Sequence, residues 1–171
     1  LIMPAGRDQM NGMSRIDAAK LVLCIVASQG AGLFGSIFTN MSVTTWYPTL
    51  VKPWFAPPDG VIPVVWTVLF TLIGISLFLA WRAGLSRPEF RGAAYAFAAQ
   101  FVVNILWSAA FFGLQSPLAG LTVIALLWIL ILLTIYRFYP LSKQAALLLV
   151  PYLAWVSFAA ILNFGILKLN P

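Results

Sequence analysis

"GAAYAFAAQFVVNILWSAAFFGLQSPLAGLTVIALLWILILLTIY", residues 92–136, runs for 45 positions without a charged side chain. A helix needs about 20 apolar residues to cross the hydrocarbon core of a bilayer. The stretch therefore holds two crossings, and "GLQSP" (113–117) divides them, because glycine ends one helix and proline starts the next. Working outward, the charge-free interval Leu21–Val51 leaves room for one span, ending near Phe38 before the polar "TNMSVTT". Gly60–Trp81 holds another, and Gln144–Leu167 the last. The count predicts an all-α integral membrane protein: a bundle of five transmembrane helices at about 19–39, 61–82, 92–112, 118–139 and 145–167. They form one domain over 19–170, behind an N-terminal extension over 1–18. The first loop is long, aromatic and proline-rich, and is expected to be structured.

Composition agrees. The 171 residues are 62% hydrophobic and only 8% charged, too few charges to cover a water-facing surface. The net charge of +6 sits at the span ends, so membrane lipid, not nucleic acid, is the expected partner. Eight basic residues (Arg7, Arg15, Lys20, Arg82, Arg87, Arg91, Arg137, Lys143) fall on the N-terminal side, against Lys52 and Lys168 on the other. The positive-inside rule then puts the N-terminus in the cytoplasm of a prokaryotic cell, with the first loop opposite. "MSRIDAAK" from Met13 reads like a natural start, which makes 1–12 an upstream extension or a remnant of cloning. No cleavable signal peptide is expected, since the first apolar stretch is long enough to remain as a span.

Much chemistry is excluded. There is no histidine, the acids Asp8, Asp17, Asp59 and Glu89 are scattered, and Cys24 is alone in an apolar run. No metal site, no Ser–His–Asp set and no required cofactor is expected. No carboxylate lies within a predicted span, and Lys20, Arg82 and Arg137 stand only at span ends, which argues against ion-coupled transport. Any catalysis would use aromatic side chains or a reactive ligand.

What remains is aromatic. "WYPTLVKPWFAPP" (46–58) concentrates Trp46, Tyr47, Trp54 and Phe55 among Pro48, Pro53, Pro57 and Pro58, so it is stiff but not a regular helix. It reads either as an interfacial belt or as a lid over the open end of a bundle. In the second span Trp66 and Phe70 share a face at i, i+4. In the third, Gln100, Asn104, Trp107 and Ser108 form one stripe, either interhelical glue or cavity lining. In the fifth, Trp155, Ala159 and Asn163 repeat at i, i+4, i+8, with a small residue leaving space beside the indole. Together these stripes can line a pocket with flat walls and few donors, suited to a planar, largely apolar ligand. Small residues also repeat at Ala27, Ala31 and Gly35, at Ser28, Gly32 and Ser36, and at Gly92/Ala96 and Ala94/Ala98. The last two pairs serve packing within the bundle or a homodimer face.

"WYPTLVKPWFAPP", "VVWTVLF", "QFVVNILWS" and "PYLAWVSFAAILN", in this order, resemble the TspO/MBR family of tryptophan-rich sensory and translocator proteins, over nearly all of 20–170. The resemblance implies five transmembrane helices and often a homodimer. It implies binding of porphyrins (protoporphyrin IX or haem), of isoquinoline carboxamides and benzodiazepines, and of cholesterol in animal members. At matching positions it implies that Trp46 and Tyr47 close the pocket and that Pro57 and Ile62 form its rim. Trp66 and Phe70, then Asn104, Trp107 and Ser108, then Trp155 and Ala159, would form its wall. Gln100 and Asn163 complete the candidate set from the stripes. The implied activity is that of a tetrapyrrole-binding membrane sensor or regulator in porphyrin handling and stress. The alternatives are a light- and oxygen-dependent porphyrin-degrading enzyme, with Trp66 and Trp155 as candidate catalytic residues, and a porphyrin or sterol transporter. Two departures stand out. The family's sterol motif expects a tyrosine where this chain has Phe164, between Leu162 and the basic Lys168, and Ile105 stands where animal members carry a tryptophan. Without histidine, haem would gain no His–iron bond, so metal-free protoporphyrin is favoured equally.

Overall fold

The computed structural model describes residues 13–171 and places six α-helices there, with no strand among the described residues. The expectation for 1–12 lies outside the described residues. Helix α1 (Arg15–Ser42) begins inside the stretch expected to be an extension, because Ser14 caps it: its Oγ accepts the Asp17 N–H at 3.0 Å. It also runs past Phe38. Ser42 donates to the Phe112 carbonyl at 2.8 Å, so the polar "TNMS" ends the helix and does not precede the loop.

Helix α2 (Val61–Gly84) carries Pro63 in its first turn, where the missing N–H costs least. Helix α3 (Glu89–Ser108) widens into a π-turn over Ala109–Gly113 before α4 (Pro117–Phe138), which Ser116 caps. The residue that turns the chain there is Gln115, with φ 51°, and not Gly113. Gly113 instead makes room for Phe38, which a Cβ would meet at 3.3 Å. The fifth span is broken: α5 (Lys143–Leu148) and α6 (Val150–Leu169) meet at Leu149. Pro151 has no N–H to offer the Leu147 carbonyl, and Leu149 bonds back to Ala146 in a tighter turn. Five stretches, counting α5 with α6, are long and apolar enough to cross a membrane, and the protein is an integral multi-pass membrane protein.

The spans close into a ring in the order first, second, fifth, fourth, third. One end of the ring is solid. Ile73, Ala80, Ala93, Leu127, Ile131, Ala145 and Val156 are buried there with almost no exposure. Gly74 lets α2 reach the α1 backbone: a Cβ on it would sit 2.7 Å from Ile25 Cα. On α3, Gly92 fits beneath Arg137 and Ala96 is buried, whereas Ala98 is exposed, so the expected stripes divide between the bundle interior and the outer face.

Candidate functional site

The other end is hollow. A cavity of about 450 Å³ lies under the first loop, within the usual range of small-molecule sites. Helices α1, α2 and α6, Trp107 near the end of α3, the π-turn and the loop line it, and α4 does not reach it.

Its walls are flat. Trp66 stacks on Phe70 (centroids 5.5 Å, 28°) and lies 6.2 Å from Trp107, which in turn stacks on Phe111 at 5.9 Å. On α6, Trp155 and Phe158 face the same space, with Ala159, Leu162 and Asn163 beyond. Polar groups are few. Asn163 donates to the Pro117 carbonyl at 2.7 Å, and its Oδ1 receives the Trp107 N–H at 3.5 Å. The Trp155 N–H is buried and has no acceptor among the described residues. An indole N–H normally finds a partner when buried; this one is covered by its neighbours, so the indole shows the cavity its ring and not its donor.

The loop covers the cavity as a strap. Tyr47 to Thr49 form a single tight turn, with Tyr47 packed against Phe111 and Phe112. Two points of α6 hold the strap. The Asn170 side chain accepts the Val51 N–H at 2.9 Å and donates to the Val51 carbonyl at 3.0 Å. Gly165 receives Pro53, which a Cβ would meet at 2.5 Å. Lys52 binds Asp59 at 3.0 Å and stands 4.0 Å over the Tyr47 ring. Burial of the Tyr47 phenol, helped by the Asp59 charge, pushes its pKa up to about 12.

Of the residues selected from sequence, the cavity brings together Tyr47, Pro57, Ile62, Trp66, Phe70, Trp107, Trp155, Ala159, Leu162 and Asn163. The others stand apart. Gln100 and Asn104 are interhelical glue: Asn104 donates to the buried Tyr152 hydroxyl at 2.8 Å, and Tyr152 donates to Gln100 at 3.1 Å. Ser108 turns toward α1, 3.5 Å from where a Gly35 Cβ would be. Trp46 packs edge-on against Phe111 (5.6 Å), behind the wall. Phe164 and Lys168 are exposed and pair with each other at 5.7 Å, away from Leu162, so the sterol-motif residues do not share a surface.

The residues missed lie mainly on α1: Gln29, Leu33, Ser36, Thr39 and Asn40 all line the cavity. Gln29 was a lone amide within an apolar run, and that was the available signal. Phe111 and Phe112 reach the cavity through the π-turn, which no sequence pattern announced.

Comparison with known proteins agrees with this architecture. The family model described as the TspO/MBR family matches residues 23–169. The "Tryptophan-rich protein TspO" of Chlorobaculum tepidum is 51% identical over 151 residues, covering 88% of this chain and 96% of that one. Its namesake from Archaeoglobus fulgidus is 48% identical over 151 residues, covering 88% and 97%. The "Translocator protein" of Bos taurus is 30% identical over 135 residues, covering 78% and 79%. A five-span bundle with an aromatic cavity under a proline-rich strap, matched over this length, belongs to the TspO/MBR family of membrane proteins.

Proposed function

We propose that the protein is a membrane sensor or regulator that binds a tetrapyrrole, protoporphyrin IX or haem, in the cavity under the strap. The observation that carries the reading is a cavity of about 450 Å³ walled by the flat rings of Trp66, Phe70, Trp107, Phe111, Trp155 and Phe158. A planar apolar ligand stacks on such walls and fills the space between them. Isoquinoline carboxamide and benzodiazepine-type molecules have the same flat character. No cofactor is needed for binding.

A titration with protoporphyrin IX, followed by tryptophan fluorescence, tests this. Saturable quenching, weakened in Trp66→Phe and in Trp155→Phe, is expected. Non-saturable quenching, equal in all three proteins, would mean partition into detergent and would remove the reading.

A second reading is oxidative breakdown of the bound porphyrin under light, with dioxygen as oxidant. The observation favouring it is that Trp66 lies between the ligand space and the buried Tyr152 ring, 6.2 Å away, which gives two oxidisable rings in sequence. Illuminated complex that yields no open-chain tetrapyrrole would leave the binder alone standing. The basic residues Arg82, Arg87, Arg91, Arg137 and Lys143 gather on the side opposite the strap, which supports a cytoplasmic N-terminus. The exposed outer face of α3, with Tyr95, Ala98, Val102 and Leu106, is the surface we assign to a homodimer.

A further inference from the structure

The cavity has two boundaries of opposite character. Under the strap its lining is sealed: Tyr47, Phe111, Leu162 and Ile166 are buried and form one small core with the strap. Between α1 and α2 its lining is also the outer surface of the bundle. Leu33, Asn40, Pro63 and Thr67 face the cavity and are exposed, Leu33 by 69%. The seam between these helices changes along its length. It is tight at Gly74 and Ile25, where backbone meets side-chain-free backbone. One step further Gln29 Nε2 crosses it, donating to the Thr67 carbonyl at 2.9 Å and to Thr71 Oγ1 at 3.0 Å. Just beyond Gln29 the helices still touch, Gly32 lying against the Phe70 ring, and from Leu33 onward the seam stands open. From Leu33, a little past the middle of α1, to Asn40, near its loop end, is 7 residues, or about 10 Å of helix. The opening therefore runs from mid-membrane depth to the interface on the strap side.

From this we infer that the α1–α2 seam is the entrance to the cavity, that it admits flat apolar molecules dissolved in the bilayer, and that the Gln29 amide is its latch. This rests on the reading of the cavity as the site of such a ligand. The helix that must move is suited to it, since α1 is the least buried of the five spans. A side-chain amide in the middle of a span is costly unless paired, so Gln29 re-forms its bonds when the seam closes. The strap, by contrast, is held at Val51, at Pro53 and through Lys52, and stays in place during exchange.

The test is stopped-flow tryptophan quenching by protoporphyrin IX with the protein in lipid nanodiscs. Gln29→Ala removes both seam hydrogen bonds, and Thr71→Val, outside the cavity lining, removes one acceptor with little change of shape. Association and dissociation are expected to accelerate together, by about tenfold for Gln29→Ala and about threefold for Thr71→Val. Asn170→Ala, which frees the strap, is expected to leave both rates at the wild-type value. Acceleration by Asn170→Ala, with none from the two seam variants, would make the strap the entrance and overturn the inference. So would a Gln29→Ala effect confined to dissociation, because Gln29 would then be a ligand contact. An absence of saturable binding in the wild-type protein would remove the pocket reading and the entrance with it, and is distinguished from both by the titration itself.

Discussion

The two ends of this bundle are made from the same kinds of residue and do opposite things. At the end away from the strap, small residues let helices touch, and branched aliphatics with the stacked rings of Phe97 and Phe138 fill what is left: Gly74 meets Ile25, and Ile73, Leu127 and Ile131 are fully buried. At the strap end the apolar residues are large, flat rings that stack on one another and cannot fill the space between them. A proline-rich strap pinned to α6 keeps that end from collapsing, and so does the π-turn that aims Phe111 and Phe112 inward. Hydrophobicity alone therefore does not decide whether a bundle is solid. The shape of the side chains and the stiffness of what caps them do.

The largest expected effect comes from spoiling the solid end. Gly74→Ala sets a methyl group 2.7 Å from Ile25 Cα and 3.0 Å from the Cys24 carbonyl oxygen, and neither is a side chain that can swing away. Overpacking of this kind costs about 1–3 kcal/mol, so the thermal midpoint in detergent should fall by roughly 3–10 °C. An unchanged midpoint would break the comparison, since α1 would then be no more tightly held there than at the hollow end.

The next effect separates glue from lining. Asn104→Ala strips a donor from the buried Tyr152 hydroxyl and leaves Gln100 in a poorer network. Loss of a buried partner costs about 1–3 kcal/mol, which a thermal scan will show. Affinity for protoporphyrin should stay near wild type, because Asn104 does not line the cavity. Trp155→Phe should do the reverse, and more mildly. It deletes a donor that no described residue uses and trims a ring from the cavity wall, so stability should hold or rise slightly, while affinity should drop by about threefold to tenfold. If both variants lost stability and affinity together, the two ends would not be separable functions.

This pairing also marks how far the sequence could be read. The five spans were legible because the bilayer demands length and apolarity, and charges must sit at the ends. The aromatic wall was legible where spacing put Trp66 with Phe70 and Trp155 with Ala159 on common faces. Spacing shows which residues share a face, but not what stands opposite. Gln100 and Asn104 share the face of Trp107, yet Tyr152 meets the first two and the cavity meets the third. The contribution of α1 was hidden for a related reason. Its small residues point to packing, and the polar "TNMS" reads as a helix end before Asn40, which hides the polar face Gln29–Ser36–Asn40 that the longer helix presents. The broken fifth span and the π-turn depend on single missing or shifted backbone hydrogen bonds, and only Pro151 hinted at either.

The smallest effect probes whether the strap is sealed while the seam is open. The Tyr47 phenol is pushed from 10.0 to about 12, first by burial and then by the charge of Asp59. A raised pKa means that the folded protein favours the protonated phenol. The associated stability is present in full below pH 10, and is lost as pH rises from there through about 12. From about pH 6 to 9 the group does not titrate, so it should add no pH dependence to ligand binding. In alkaline solution the wild-type strap should release with phenolate formation, followed by near-ultraviolet absorbance, and Tyr47→Phe should lack that component. A Tyr47 phenolate forming already near pH 10 would mean that water reaches the ring in the resting protein. The strap would then be as open as the seam, and the hollow end would have two entrances where the packing of Phe111, Leu162 and Ile166 argues for one.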